Sequence, residues 1–373
     1  MNYIRRDGDI ITGKEDLKEM YTFKDFPVFM GCTDQPREKD LVADMSWHIS
    51  PSSGMIQLNP LLPLEVVYME EHGSGTVGDV WNQHHEAFAS FVTKFSSIES
   101  VLEIGGLHGY LAKKSLAKKD LSWTIIEPNP IISSDIPAKV IRGFFDDKFT
   151  SEDKYDAIIH SHVLEHIYDP LVFMQHVASF MKKDSLLIMS VPNLEAMLRN
   201  NYTNCLNFEH TFFASKDYVD YFLEHFGYEI LEHEYFRKEH SIFFCAKKIR
   251  EVQQVSISKE IYKKNRDLFE NYVSYHKELV GTLNNLEGTL YLFGAHIFSQ
   301  TLLQFGLDSK KVVCILDNDP NKQGKRLYGT DLFVNSPEIL RDIEHGTVLL
   351  KTGVYGEEIK KQINEINLNI KFI

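Results

Sequence analysis

The chain has 373 residues, 43% hydrophobic and 25% charged, with a formal net charge of −13 at neutral pH. That length calls for two or three domains, and the composition is that of an ordinary globular protein. The acidic balance speaks against a nucleic-acid partner, which needs a basic face, and favours small-molecule chemistry. Cys32, Cys205, Cys245 and Cys314 show no C-x-x-C spacing, which fits a reducing compartment and neither a disulfide framework nor a thiolate metal site. The first residues are charged with no apolar run behind them, and nothing further on approaches the ~20 apolar residues of a membrane span. A cytoplasmic protein with no membrane partner is expected.

Residues 1–80 are rich in Pro, Gly and Met with little periodicity, and read as a small N-terminal lobe. From residue 100 short apolar runs alternate with amphipathic stretches, the pattern of βαβ units on a parallel sheet. Strands are predicted at 100–104, 123–126, 140–141, 155–159 and 186–191, and a strand pair at 228–231 and 242–246 closes the sheet. A helix at 170–181 starts on Pro170 and ends in Lys182-Lys183, which suits both ends of a helix dipole. The charged stretch 259–279 reads as a helical connector. Beyond it a second α/β pattern appears, with strands at 289–293, 312–316 and 348–351 and a helix at 297–304 closed by Gly306. The expected fold is α/β, a doubly wound seven-stranded core with a small N-terminal lobe and a C-terminal Rossmann-like lobe. The boundaries are 1–80, 81–247 and 248–373.

The most informative segment is Glu103-Ile104-Gly105-Gly106-Leu107-His108-Gly109, where an apolar strand runs into a glycine-rich turn and then a helix. Glycines there let backbone approach a ligand where a Cβ would clash. The spacing is E-x-G-x-x-x-G, whereas a pyrophosphate-binding turn reads G-x-G-x-x-G. S-adenosylmethionine carries a sulfonium and no phosphate, so an acidic strand end and a tight glycine turn suit it. Glu127 closes the next strand about 20 residues on, where a carboxylate accepts hydrogen bonds from ribose hydroxyls. A plain strand-to-helix turn would use the same glycines, but would not need Glu127.

The run Tyr155-Asp156-Ala157-Ile158-Ile159-His160-Ser161-His162-Val163-Leu164-Glu165-His166-Ile167-Tyr168-Asp169-Pro170 resembles class I S-adenosylmethionine-dependent methyltransferases. The resemblance implies that Glu103, Gly105, Gly106, Gly109 and Glu127 hold that cofactor, that Phe145 borders the adenine, and that His160 and Ser161 line the site. The histidines of this run would also attract a metal, but no carboxylate-bearing ligand set with helical spacing accompanies them, and no metal is expected.

Three further stretches resemble the three-domain nucleotide-sugar C-methyltransferases of 3-C-methyl deoxysugar pathways. They are Asn207-Phe208-Glu209-His210-Thr211-Phe212-Phe213, the pair Leu290–His296 and Leu316–Gly324, and His72-Gly73-Ser74-Gly75 leading to Trp81-Asn82-Gln83-His84-His85. The family likeness implies a nucleotide-sugar acceptor, touched by Ser74, Trp81 and Asn207, with its nucleotide part between the core and the C-terminal lobe. It also implies a zinc lobe at the N-terminus, but Ser50 and Ser53 stand where thiolates would be, so a zinc-free lobe is expected. Asn207 and Phe208 replace a tyrosine and a histidine of the family motif, which keeps an O- or N-methyltransferase open. A non-catalytic ligand-binding protein is the remaining alternative.

Carbon methylation next to a keto group needs a base to take the α-proton, and a histidine, with an ordinary pKa of about 6.5, serves at neutral pH. His210 is the candidate base, with Glu209 steering an imidazole or a substrate hydroxyl and His166 stabilising the enolate oxygen. Purely structural histidines would fit the same positions. In the C-terminal lobe, Gly294 would suit a dinucleotide site, but the other fingerprint glycines are missing.

Overall fold

The computed structural model describes residues 2–68, 78–146 and 148–373; the His72–Gly75 stretch, with Ser74, lies outside them. The chain forms two compact units. One comprises Met1–Ser74, Glu195–His210 and Lys259–Ile373, and the other Gly75–Leu194 and Thr211–Ser258.

The second unit is built on a seven-stranded sheet. Its order is Tyr228–Phe236, Ser241–Lys248, Met181–Pro192, Tyr155–Ser161, Ser100–Ile104, Ser122–Glu127, Lys139–Arg142. Ser241–Lys248 runs antiparallel to both its neighbours, and the pairs from Met181–Pro192 to Lys139–Arg142 are parallel. The chain winds outward in both directions from Ser100–Ile104, so the order reverses beside that strand, where ligands bind in doubly wound folds. The predicted strands all form. Their apolar side chains pack with the helices Asp79–Thr93 and Tyr110–Leu116 into a core that includes Phe88, Val92, Leu111, Ile125, Ile159, Ile188 and Phe243.

The predicted helix at 170–181 stops earlier, at Ser179. Its start is as expected, with Pro170 in the first turn and the Asp169 carboxylate accepting from the Val172 N–H. Met181 instead opens a strand by pairing with Tyr155, and Ser185 Oγ donates to the Tyr155 carbonyl and accepts from the Lys182 N–H. Backbone pairing in the sheet outcompetes one more helical turn.

The first unit joins the N-terminal lobe to the C-terminal lobe. The lobe at the N-terminus is a three-stranded antiparallel sheet of Lys18–Pro27, Val42–Ile49 and Ile56–Leu58. Register shifts between Glu19 and Tyr21 and between Phe23 and Phe26 break the period-2 alternation, which is why periodicity missed these strands. In this lobe Ser50 Oγ donates to Asp16 Oδ1 at 2.8 Å and Ser53 Oγ to Asp9 Oδ1 at 3.0 Å. Two serine–carboxylate pairs thus pin these loops.

The C-terminal half carries a parallel five-stranded sheet ordered Val334–Asn335, Val312–Leu316, Leu290–Phe293, Gly346–Leu349, Ile370–Phe372. The helix read as a connector spans Glu260–Asn284 and is part of this unit's core, burying Phe269, Tyr272, His276 and Leu283. It crosses the N-terminal lobe at Gly54, where a Cβ would fall 2.6 Å from the Tyr262 backbone nitrogen, and Asn265 Nδ2 donates to the Gly54 carbonyl. Arg326 and Asp40 form a second tie, a two-pronged buried ion pair at 2.6 and 2.8 Å.

Candidate active site

Within the second unit the glycine turn leaves the Ser100–Ile104 strand with Gly105 at φ 79° and Gly109 at φ 66°, the left-handed region that glycine tolerates. At Gly106 a Cβ would meet Ile125 Cγ2 at 2.7 Å and Glu103 Cδ at 3.0 Å, so the turn lies tightly on the two strands. Glu103 sits beneath it, buried, with its carboxylate accepting from Trp123 Nε1 at 2.8 Å. Burial, with Glu127 nearby, lifts this carboxyl to about 7 against the Trp123 hydrogen bond.

Glu127 closes the next strand. Its oxygens accept from the Leu107 N–H at 3.3 Å and the Asn129 N–H at 3.0 Å, and burial pushes its pKa up. A carboxylate accepts about four hydrogen bonds. Two backbone donors therefore leave capacity for a ribose diol, and the left-handed turn leaves no Cβ in the way. The residues present fit S-adenosylmethionine.

The remaining sequence-selected residues fall in several places. Ser161 ends its strand half-buried. The His160 side chain is wholly buried, its ring 5.8 Å from Phe173. Phe145 packs with Phe149, Phe173, His176 and Phe180, while its neighbour Phe144 is the exposed aromatic. His166 lies 3.7 Å from the buried Glu165 carboxylate, whose Oε1 is also 3.4 Å from His162 Nδ1. Trp81 meets His84, His162 and His240 edge-on at 4.9–5.2 Å between ring centres. These three histidines and Glu165 were not picked from sequence. Their ring partners come from four separate segments, and only the adjacent His84-His85 and the His160-Ser161-His162 pattern hinted at them.

Asn207, Glu209 and His210 belong to the other unit, and the chain passes between the units at the His210–Thr211 peptide. Asn207 Oδ1 accepts from the Glu209 N–H at 2.8 Å and the His210 N–H at 2.9 Å, so this residue shapes the turn. Phe208 is buried with its ring 5.9 Å from Phe26. His210 Nδ1 lies 2.8 Å from the Cys205 carbonyl. A carbonyl only accepts, so Nδ1 carries the proton and the neutral ring has its lone pair on Nε2.

In the C-terminal lobe the Asp317 carboxylate accepts from the Ala295 N–H at 2.8 Å and meets Lys322 Nζ at 3.2 Å. The acid that could bind a ribose in a dinucleotide fold is engaged by the lobe itself.

Buried and half-buried histidines make the second unit sensitive to acid. Burial, aided by neighbouring imidazoles, holds His160, His162 and His240 down to about 3 and His84 well below its ordinary value. The unfolded chain takes up these protons below about pH 6.5. The folded chain does not, so stability is full above that pH and falls on acidification. Each such ring costs about 1–2 kcal/mol by pH 5. The expected result is a steep loss of thermal midpoint between pH 7 and pH 5; a flat profile there would contradict the neutral, buried cluster.

Residues 80–233 match the family model described as a methyltransferase domain, and residues 246–373 match that of a C-methyltransferase C-terminal domain. No curated relative matches the sequence. Solved structures similar to this chain include that of the candidate methyltransferase bound to the Haloferax volcanii Trm112 activator, with TM-score 0.39 and 12% identity over 45% of this chain and 92% of that one. The mitomycin 7-O-methyltransferase MmcR has TM-score 0.36 and 18% identity, over 44% of this chain and 54% of its own. The plantazolicin methyltransferase BpumL, solved with S-adenosylhomocysteine, has TM-score 0.36 and 11% identity, over 46% and 84%.

Proposed function

We propose that the chain, whose residues 80–233 match a methyltransferase domain and 246–373 a C-methyltransferase C-terminal domain, is an S-adenosylmethionine-dependent methyltransferase that methylates a nucleotide-linked sugar at a carbon next to a keto group. The observation that carries this reading is His210, whose Nδ1 is committed to the Cys205 carbonyl so that Nε2 is the basic nitrogen. Carbon methylation next to a keto group requires a base to take the α-proton.

The glycine turn and Glu127 would hold S-adenosylmethionine, which when bound would supply an electrophilic methyl group. His210 Nε2 takes the α-proton, and the C–H electron pair moves into the carbonyl to give an enolate. His166 stabilises the charge that builds on the enolate oxygen, and Glu209 steers the imidazole or a substrate hydroxyl. The chain's residues would hold the enolate carbon in line with the methyl group the cofactor supplies. Holding the reactants in that line supplies a large part of the rate. Trp81 would contact the sugar, and the C-terminal lobe would bind the nucleotide. Of the two departures from the family motif, Phe208 packs inward and Asn207 caps a turn.

Run in deuterated water with a keto-sugar nucleotide, the enzyme should exchange the hydrogen α to the carbonyl and place the new methyl on that carbon. A product methylated on oxygen or nitrogen, with the α-hydrogen retained, would overturn the carbon assignment.

A further inference from the structure

We propose that His84, His162 and His240 form a binding site for one divalent transition-metal ion of the zinc class. They come from three separate elements of the second unit: the helix Asp79–Thr93, the turn after Tyr155–Ser161, and the hairpin before Ser241–Lys248. Each presents one ring nitrogen within 4.8 Å of the others. Tetrahedral coordination with metal–nitrogen bonds of about 2.0–2.1 Å puts ligand nitrogens about 3.4 Å apart, which small ring rotations reach.

Two further observations point to an ion. The polar groups on the spot leave one ring nitrogen unsatisfied. Ser241 Oγ, which can accept from one ring and donate to another, lies between His162 Nε2 at 2.9 Å and His240 Nδ1 at 2.6 Å. His84 is wholly buried, and its Nδ1 has no hydrogen-bond partner among the described residues although Nε2 reaches Ser190 Oγ at 2.9 Å. Buried polar atoms are rarely left in that condition. Second, the Glu165 carboxylate lies 3.4 Å from His162 Nδ1, the outer partner that orients metal-binding imidazoles and raises their basicity. His162 also holds a left-handed backbone, φ 54°, which a non-glycine residue adopts at a cost.

Three imidazoles and no oxygen anion among the inner donors suit zinc, cobalt or nickel and not magnesium or calcium. Three protein ligands leave a fourth position for water or a substrate oxygen. A metal was set aside in the sequence for want of a carboxylate; the fold brings together an all-imidazole set and places a carboxylate behind it.

The test is cobalt(II) titration of full-length, untagged protein after dialysis against a chelator, read by visible absorption and metal analysis. One ion per chain with the intense bands of four-coordinate cobalt, displaced by zinc, is expected. His240→Ala should raise the dissociation constant by more than the roughly 10–100-fold that an outer-partner change such as Glu165→Gln costs. The exposed His345→Ala should bind as wild type. If circular dichroism shows His240→Ala unfolded, the near-isosteric His162→Gln gives the same reading. Folded wild-type protein without cobalt bands, or bands unchanged in a folded histidine variant, would overturn the site. The readout is independent of methylation, so it stands or falls apart from the proposed reaction.

Discussion

His210→Gln is expected to lower turnover by roughly 10²–10⁴-fold, the usual contribution of a positioned general base. Cofactor affinity and folding should stay at wild-type levels, because the glycine turn and Glu127 lie in the other compact unit and glutamine keeps a donor for the Cys205 carbonyl. The tautomer argument makes the prediction specific. With Nδ1–H on that carbonyl, Nε2 alone can take a proton, and glutamine offers no comparable base there. The loss should appear in turnover and not in cofactor affinity, and rates must be read at neutral pH, since the histidines of the other unit weaken the fold in acid. A variant within a few-fold of wild type would place the proton elsewhere, and His166 would be the next residue to change.

Asp40→Ala should be the most destabilising single substitution of a polar residue in the first unit, by about 3–5 kcal/mol, the cost of leaving a buried partner charge uncompensated. Both carboxylate oxygens meet the Arg326 guanidinium, and Oδ2 also accepts from the Gly329 N–H. The guanidinium donates further to the Gln35 and Thr330 carbonyls, so its geometry is fully specified and the pair is almost sealed from water, at 8% and 3% side-chain exposure. The Lys24–Asp44 pair, at 72% and 43% exposure, should by contrast be replaceable without measurable loss. Denaturant unfolding followed by fluorescence would decide; a midpoint within about 1 kcal/mol of wild type would show that solvent or a new partner rescues Arg326. The N-terminal and C-terminal lobes share this pair and the Gly54 crossing, so removing either lobe would expose the other's core.

Much of the catalytic unit was legible in the sequence because its signals are local. A buried parallel strand is a short apolar run, and the turn after it favours glycine where φ is positive. Gly105 and Gly109 therefore announced their own conformation, and Glu127 its place at the next strand end. Asn207 and Phe208 were visible as departures from a motif, but their reasons, a capped turn and a ring against Phe26, depend on residues far off in the chain.

The tertiary structure alone decided the rest. It turned the helix read as a connector into the core of a unit, since burial of Tyr272 and Leu283 depends on what packs over them. It also made strands of Lys18–Pro27 and Val42–Ile49, whose bulged register leaves no period for a sequence to display. His160 stands beside Ser161 in the chain, yet alternation along the strand sends its ring into the core. His84, His162 and His240 acquire a common purpose only when three distant elements converge. Local backbone demands are written in local residues, whereas the environment of a titratable ring is set by whichever segments close over it.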